Sequence, residues 1–139
     1  MARSEQEVLE LTRRVLDAWN GQDVEAVLDR YTEDVIYRDP NTRGTVSGRE
    51  AMGRYLTKLF AAWEMNWSMK EFFPLGDEDG GAFLWRASLR RPGGEDSVEV
   101  DGMDLVLLRG DRISRNEVYF DRAVLASLVM GVEAPASAG

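Results

Sequence analysis

Residues 65–121 read MNWSMKEFFPLGDEDGGAFLWRASLRRPGGEDSVEVDGMDLVLLRGDRISRNEVYFD, and this stretch decides the fold. Apolar residues recur at every second position in four runs: MNWSMKEFF, AFLWRASLR, SVEVDGMDLVLLR and ISRNEVYFD. Successive side chains of a strand point to opposite faces, so this alternation marks strands with one face turned to a core. Between the runs lie GDEDGG, RPGGED and RGDR. These glycine-rich, charged segments are too short for a crossover and predict antiparallel hairpins.

Upstream the period is helical. Residues 5–20 place Val8, Leu11, Val15, Leu16 and Trp19 on one face, and Asn20-Gly21 ends that helix. Asp23 stands at the N-cap of a second, short helix carrying Val24, Val27, Leu28 and Tyr31. Residues 35–39 (VIYRD) predict a strand, ended by Pro40 and a polar loop through Ser47. Ser47-Gly48-Arg49-Glu50 has the pattern of a capping box, opening a third helix with Met52, Tyr55, Leu56, Leu59 and Phe60 on one face. A short helix from Arg122 to Met130 closes the order α-α-β-α-β-β-β-β-α. That order predicts an α+β fold, with helices packed on one curved antiparallel sheet. One domain is expected over residues 1–131, followed by a small, Pro-containing tail, 132–139, expected to be disordered.

Composition narrows the chemistry. Seventeen basic residues against twenty-five acidic ones give a net charge of −8, which opposes phosphate backbones and anionic membranes as partners. The chain has no cysteine and no histidine. Disulfides, thiol nucleophiles, imidazole bases and Cys or His metal sites are therefore excluded, and acid–base work falls to carboxylates, tyrosines or lysines. No metal or cofactor is expected. No apolar run approaches the roughly 18 residues of a membrane span, and the charged, amphipathic N-terminus has no signal-like core. A cytoplasmic protein is the expectation.

Three stretches carry a family resemblance: LDAWNGQDVEAVLDRYTEDVIYRDP (16–40), GREAMGRYLTKLF (48–60) and GMDLVLLRGDRISRNEVYFDRAVL (102–125). Together the sequence resembles the SnoaL-like branch of the NTF2-like superfamily, whose relatives include ketosteroid isomerases, polyketide cyclases and limonene epoxide hydrolases. The resemblance spans roughly residues 5–130. It implies a cone: a bent sheet wrapped round the helices, with one deep, largely apolar pocket open at one end. It also implies a homodimer through the outer face of the sheet. Because this scaffold hosts isomerases, cyclases, hydrolases and plain binding modules, it does not choose among them.

Three aspartates are candidate catalytic residues. By resemblance, Asp39, in YRDP, falls where ketosteroid isomerases keep the base that moves a proton between carbons; the plain alternative is a turn-forming Asp-Pro. Asp104 lies in the strand row Val98, Val100, Gly102, Asp104, Val106, Leu108, as its only charged group. A carboxyl there loses hydration, which disfavours its charged form and raises its pKa. The resemblance places it with the protonated oxyanion-hole aspartate of ketosteroid isomerases; the alternative is a structural carboxylate bonded to backbone or to Arg86. Asp121, in VYFD, resembles an acid–base aspartate of SnoaL-type cyclases, and could equally cap the last helix.

The departures from the family are specific. Val15 stands where ketosteroid isomerases place an oxyanion-hole tyrosine, leaving Tyr31, Tyr37, Tyr55 and Tyr119 as possible substitutes. Arg86-Ala87-Ser88 stands where epoxide hydrolases have Arg-x-Asp. Trp19, Tyr37, Tyr55, Trp63, Arg86 and Tyr119 are the candidate ligand contacts. The expectation is a cofactor-free acid–base enzyme, an isomerase or cyclase, for a hydrophobic carbonyl-bearing molecule such as a polyketide or steroid-like compound. A non-catalytic small-molecule-binding module and an epoxide hydrolase-like enzyme are the alternatives. The distinguishing feature is whether two aspartates face one open cavity.

Overall fold

A computed structural model describes residues 3–130; the tail expected over 132–139 lies outside the described residues. The helices are α1 (Glu5–Asn20), α2 (Val24–Leu28), α3 (Arg49–Ala62) and α4 (Ala123–Met130). The strands are β1 (Tyr31–Arg38), β2 (Val46–Ser47), β3 (Glu64–Pro74), β4 (Gly80–Arg90), β5 (Ser97–Arg109) and β6 (Arg112–Phe120). They form one curved, unclosed sheet in the order β2-β1-β6-β5-β4-β3. The three long hairpins pair antiparallel, as the alternation predicts, while β1 runs parallel to β6 and so joins the two halves of the sheet.

Three local features differ from the sequence reading. Tyr31 begins β1 instead of ending α2, because the chain leaves the helix at Asp29 and the β-favouring Tyr31-Thr32 pair continues into the sheet. The two-residue β2 pairs with β1 inside the stretch read as loop. No capping box forms at α3. Ser47 belongs to β2, and the N-cap is Gly48 at φ 87°, a left-handed turn that glycine enters without Cβ strain. The start of α3 is held from outside, by Arg49 donating to the carbonyl oxygens of Leu28 and Tyr31. The Asp23 cap follows the sequence, accepting from Ala26 N at α2, and at α1 the structure adds Ser4, which accepts from Glu7 N.

The core lies between α1, α3 and the inner face of the sheet. Alternation sends Phe83, Trp85, Ala87 and Leu89 of β4 inward and Leu84, Arg86, Ser88 and Arg90 outward. On β5, Val100 and Val106 are buried, with Asp104 between them on the same row. Gly102, also on that row, has a steric task. A Cβ there would stand 2.4 Å from the Trp85 ring and 2.7 Å from Tyr119 O, so only a glycine lets the indole lie across β5.

Candidate active site

The inner faces of these elements line a cavity. Its walls are mainly apolar: Val15, Leu16 and Trp19 from α1, Trp63 and Trp67 around β3, Phe83 and Trp85 from β4, and Val118 and Phe120 from β6. Two carboxyls, Asp39 and Asp104, open into it.

Asp104 keeps some accessible surface, and that surface faces this apolar cavity. Trp85 Nε1 donates to its Oδ1 at 2.7 Å and Asn116 Nδ2 to its Oδ2 at 3.0 Å. Burial pushes the carboxyl up to about 7, against the downward pull of the Asn116 and Trp85 hydrogen bonds, and nearby Asp39 adds a smaller upward push. Desolvation therefore wins over two charge-favouring hydrogen bonds, and the group is poised to exchange a proton near neutrality.

Asp39 sits just beyond β1, 9% exposed, and is differently held. Its Oδ1 accepts from Asn41 N at 2.7 Å and Thr42 N at 3.1 Å, the geometry of an Asx turn. Its Oδ2 accepts from Tyr37 Oη at 2.6 Å and, by a short hydrogen bond, from Tyr55 Oη. The turn reading of Asp-Pro is realised, and the same residue lines the cavity. Burial, reinforced by Asp39, holds the phenols of Tyr37 and Tyr55 above the usual tyrosine range, so both remain neutral donors.

The other candidates divide. Trp19, Tyr37 and Trp63 line the cavity; Tyr55 stands behind Asp39 and reaches the site through it. Arg86 lies on the outer face, paired with Asp101 at 2.9 Å, because alternation on β4 turns it away from the cavity. The inward member of Arg86-Ala87-Ser88 is Ala87, so no side chain of that triplet can act on a bound ligand through an Arg-x-Asp arrangement. Nor does Arg86 bind Asp104. Tyr119 is 48% exposed on the outer face, and Asp121 is an exposed cap whose Oδ1 accepts from Ala123 N at 2.9 Å. The structure thus brings together Asp39, Asp104, Trp19, Tyr37, Tyr55 and Trp63, and leaves Arg86, Tyr119 and Asp121 outside.

One member of the site has no counterpart in the sequence reading. Asn116, 2% exposed, accepts from Tyr31 Oη at 2.8 Å and donates to Asp104 and to Leu105 O. Its signal is the strand row Asn116, Val118, Phe120, in which it is the polar residue among inward-facing ones. Among the described residues, no group of three or more His, Cys, Asp or Glu could hold a metal ion, and no helix is long and apolar enough to cross a membrane.

A bent sheet wrapped on helices round an apolar cavity with inward carboxyls defines an NTF2-like cone. The model of the SnoaL-like domain matches residues 12–116, and the chain belongs to that family. No curated protein matches the sequence. Among solved structures, the chain is similar to TerC co-crystallised with polyporic acid, at 18% identity and TM-score 0.77, over 89% of this chain and 98% of that one. It is also similar to SalBIII, an epoxide hydrolase/cyclase-like enzyme of pyran ring formation in the polyether salinomycin. There the identity is 20% and the TM-score 0.75, over 86% and 94% of the two chains. A third is a protein of ketosteroid isomerase-like fold from Catenulispora acidiphila in complex with trimethylamine, at 19% and 0.75, over 94% and 97%. At these identities the likeness is one of fold.

Proposed function

We propose that the protein is a cofactor-free acid–base enzyme that isomerises or cyclises a hydrophobic, carbonyl-bearing small molecule. The observation that carries this reading is the pair of carboxyls, Asp39 and Asp104, opening into one apolar cavity. A carboxyl pushed up to about 7 by burial in such a cavity supports proton transfer over passive binding. The aromatic walls suit a flat apolar ligand.

In this scheme neutral Asp104 donates a hydrogen bond to the carbonyl oxygen as negative charge develops there. Asp39, the other carboxyl, takes the proton leaving the adjacent carbon and returns it to a second carbon, so the substrate is rearranged without net gain or loss of protons. All four acceptor positions of Asp39 are occupied in the free protein, and one tyrosine hydroxyl must turn away before it can accept. In this scheme the one that turns is Tyr55, which lies outside the cavity lining. Asp121, Arg86 and Tyr119 have no part in this step. The chain is further proposed to act as a homodimer through the outer sheet face, where Leu84, Met103 and Tyr119 are exposed in adjacent register.

The test is isomerisation of a β,γ-unsaturated cyclic ketone to its conjugated isomer, followed by ultraviolet absorbance. The expected kcat/KM profile bends near pH 7, and Asp104→Ala lowers the rate by about 10²–10³. Tight ketone binding with no turnover in either direction would identify a binding module instead.

A further inference from the structure

Asp104 receives hydrogen bonds on both oxygens, yet neither partner can accept a proton from it. Trp85 Nε1–H is a donor only. Asn116 could present either end of its amide, so its orientation decides what Asp104 meets. Two contacts fix that orientation. Leu105 O lies 3.1 Å from Nδ2 and accepts from it. On the other side, Tyr31 donates its hydroxyl hydrogen to Oδ1 at 2.8 Å. Tyr31 must donate there, because its second neighbour, Trp19 Nε1 at 2.9 Å, is another obligate donor. The chain runs one way: Trp19, Tyr31, Asn116, Asp104. A reversed amide would strand the tyrosine hydrogen and set two carbonyl oxygens against each other.

We propose that Asn116, oriented by Leu105, Tyr31 and Trp19, is a positioning residue that turns the Asp104 proton into the cavity, so the site selects ligands offering a hydrogen-bond acceptor, above all a carbonyl oxygen. This deepens the acid–base reading and rests on it. The titratable groups facing Asp104 are Tyr31 from β1 and Asp39 just beyond that strand. The helices, β3, β4 and β6 contribute only uncharged side chains to the cavity wall. Asp101, next on β5 but outward, is paired with Arg86. Burial keeps the Tyr31 phenol above the usual tyrosine range, so it does not titrate alongside the carboxyl.

The experiment compares two ligands of nearly equal shape, acetophenone and isopropylbenzene, by calorimetry on the full chain at pH 6 and 8.5. A ¹³C NMR titration of Asp104 accompanies it. The wild type is expected to prefer the ketone by roughly tenfold at pH 6, the worth of one hydrogen bond, and to lose that preference at pH 8.5. Asn116→Asp replaces a donor by an acceptor that captures the proton, and the preference should fall to about unity. Asn116→Leu removes the donor without supplying an acceptor. It should keep the preference and carry it to higher pH, because losing a hydrogen bond to the charged form raises the Asp104 midpoint. A folded Asn116→Asp variant that keeps the tenfold preference, or a folded Asn116→Leu variant whose Asp104 midpoint does not rise, overturns the positioning role. If Asn116→Asp does not fold, the Asp104 midpoint of Asn116→Leu decides alone. In either case a pH-dependent preference in the wild type would leave the acid–base reading standing. A wild type with no preference and an ordinary Asp104 midpoint overturns both.

Discussion

At Asp104 a stability measurement and a charge argument meet. Burial pushes the carboxyl up to about 7 in the folded chain, against about 3.9 when unfolded, so it disfavours folding as pH rises through that window. The cost is absent below pH 4, grows between 4 and 7, and is constant above, with a span on the order of 4 kcal/mol at about 1.4 per pH unit. Asp104→Asn should remove this slope. It also sets an amide N–H₂ against an obligate donor, Trp85 or Asn116, which costs roughly 1–3 kcal/mol at any pH. Thermal unfolding should therefore find the variant less stable than wild type at pH 4, with the gap closed or reversed by pH 8. A gap that does not change with pH would contradict a raised Asp104 pKa. Tyr55→Phe tests Asp39 from the opposite direction. It frees one acceptor position on Oδ2 and should raise kcat for ketone isomerisation, whereas a lowered kcat would mean the hydroxyl is needed where it stands.

Among the elements, β5 was the most legible and depends most on one glycine. Gly102→Ala would force its methyl into the Trp85 ring and Tyr119 O, so overpacking of about 1–3 kcal/mol is expected. The displaced indole should also lift the Asp104 midpoint, which the same NMR titration reads. Alternation alone identified the inward row of β5, and with it Asp104, because a one-residue slip would reverse every side chain. Applied to β4, that alternation also turns Arg86 outward, and the family triplet suggested otherwise. Asn116 went unread because a polar residue in a short strand gives no sign of a partner, and its partners Tyr31 and Asp104 are 85 and 12 residues away. Tyr31 was misassigned since helical spacing extends past Leu28 although the helix does not. The Ser47 capping pattern failed because Ser47 itself, with Val46, pairs with β1. Such long-range pairing leaves no local trace.

On the scale of the whole molecule, the outer face combines apolar and charged surface. Leu84, Met103 and Tyr119 lie side by side across three strands at 36%, 39% and 48% exposure, flanked by the Arg86–Asp101 pair. Sedimentation of the wild type should show a dimer, and Met103→Arg should shift it to monomer while ketone binding in the cavity, on the opposite face, is kept. A monomeric wild type at micromolar concentration would refute the dimer. The net charge of −8 predicts no DNA or RNA binding at physiological salt, and micromolar, salt-sensitive binding would contradict it.

All four tryptophans of the chain, Trp19, Trp63, Trp67 and Trp85, line this cavity. Its occupant is therefore surrounded by every strong intrinsic fluorophore the protein has. Trp85 is bonded directly to the Asp104 carboxyl, and Trp19 to the hydroxyl that begins the relay. Emission from the unlabelled protein should change as Asp104 ionises and change again as a ligand fills the space between the rings. The cavity then reports its own protonation and occupancy as light.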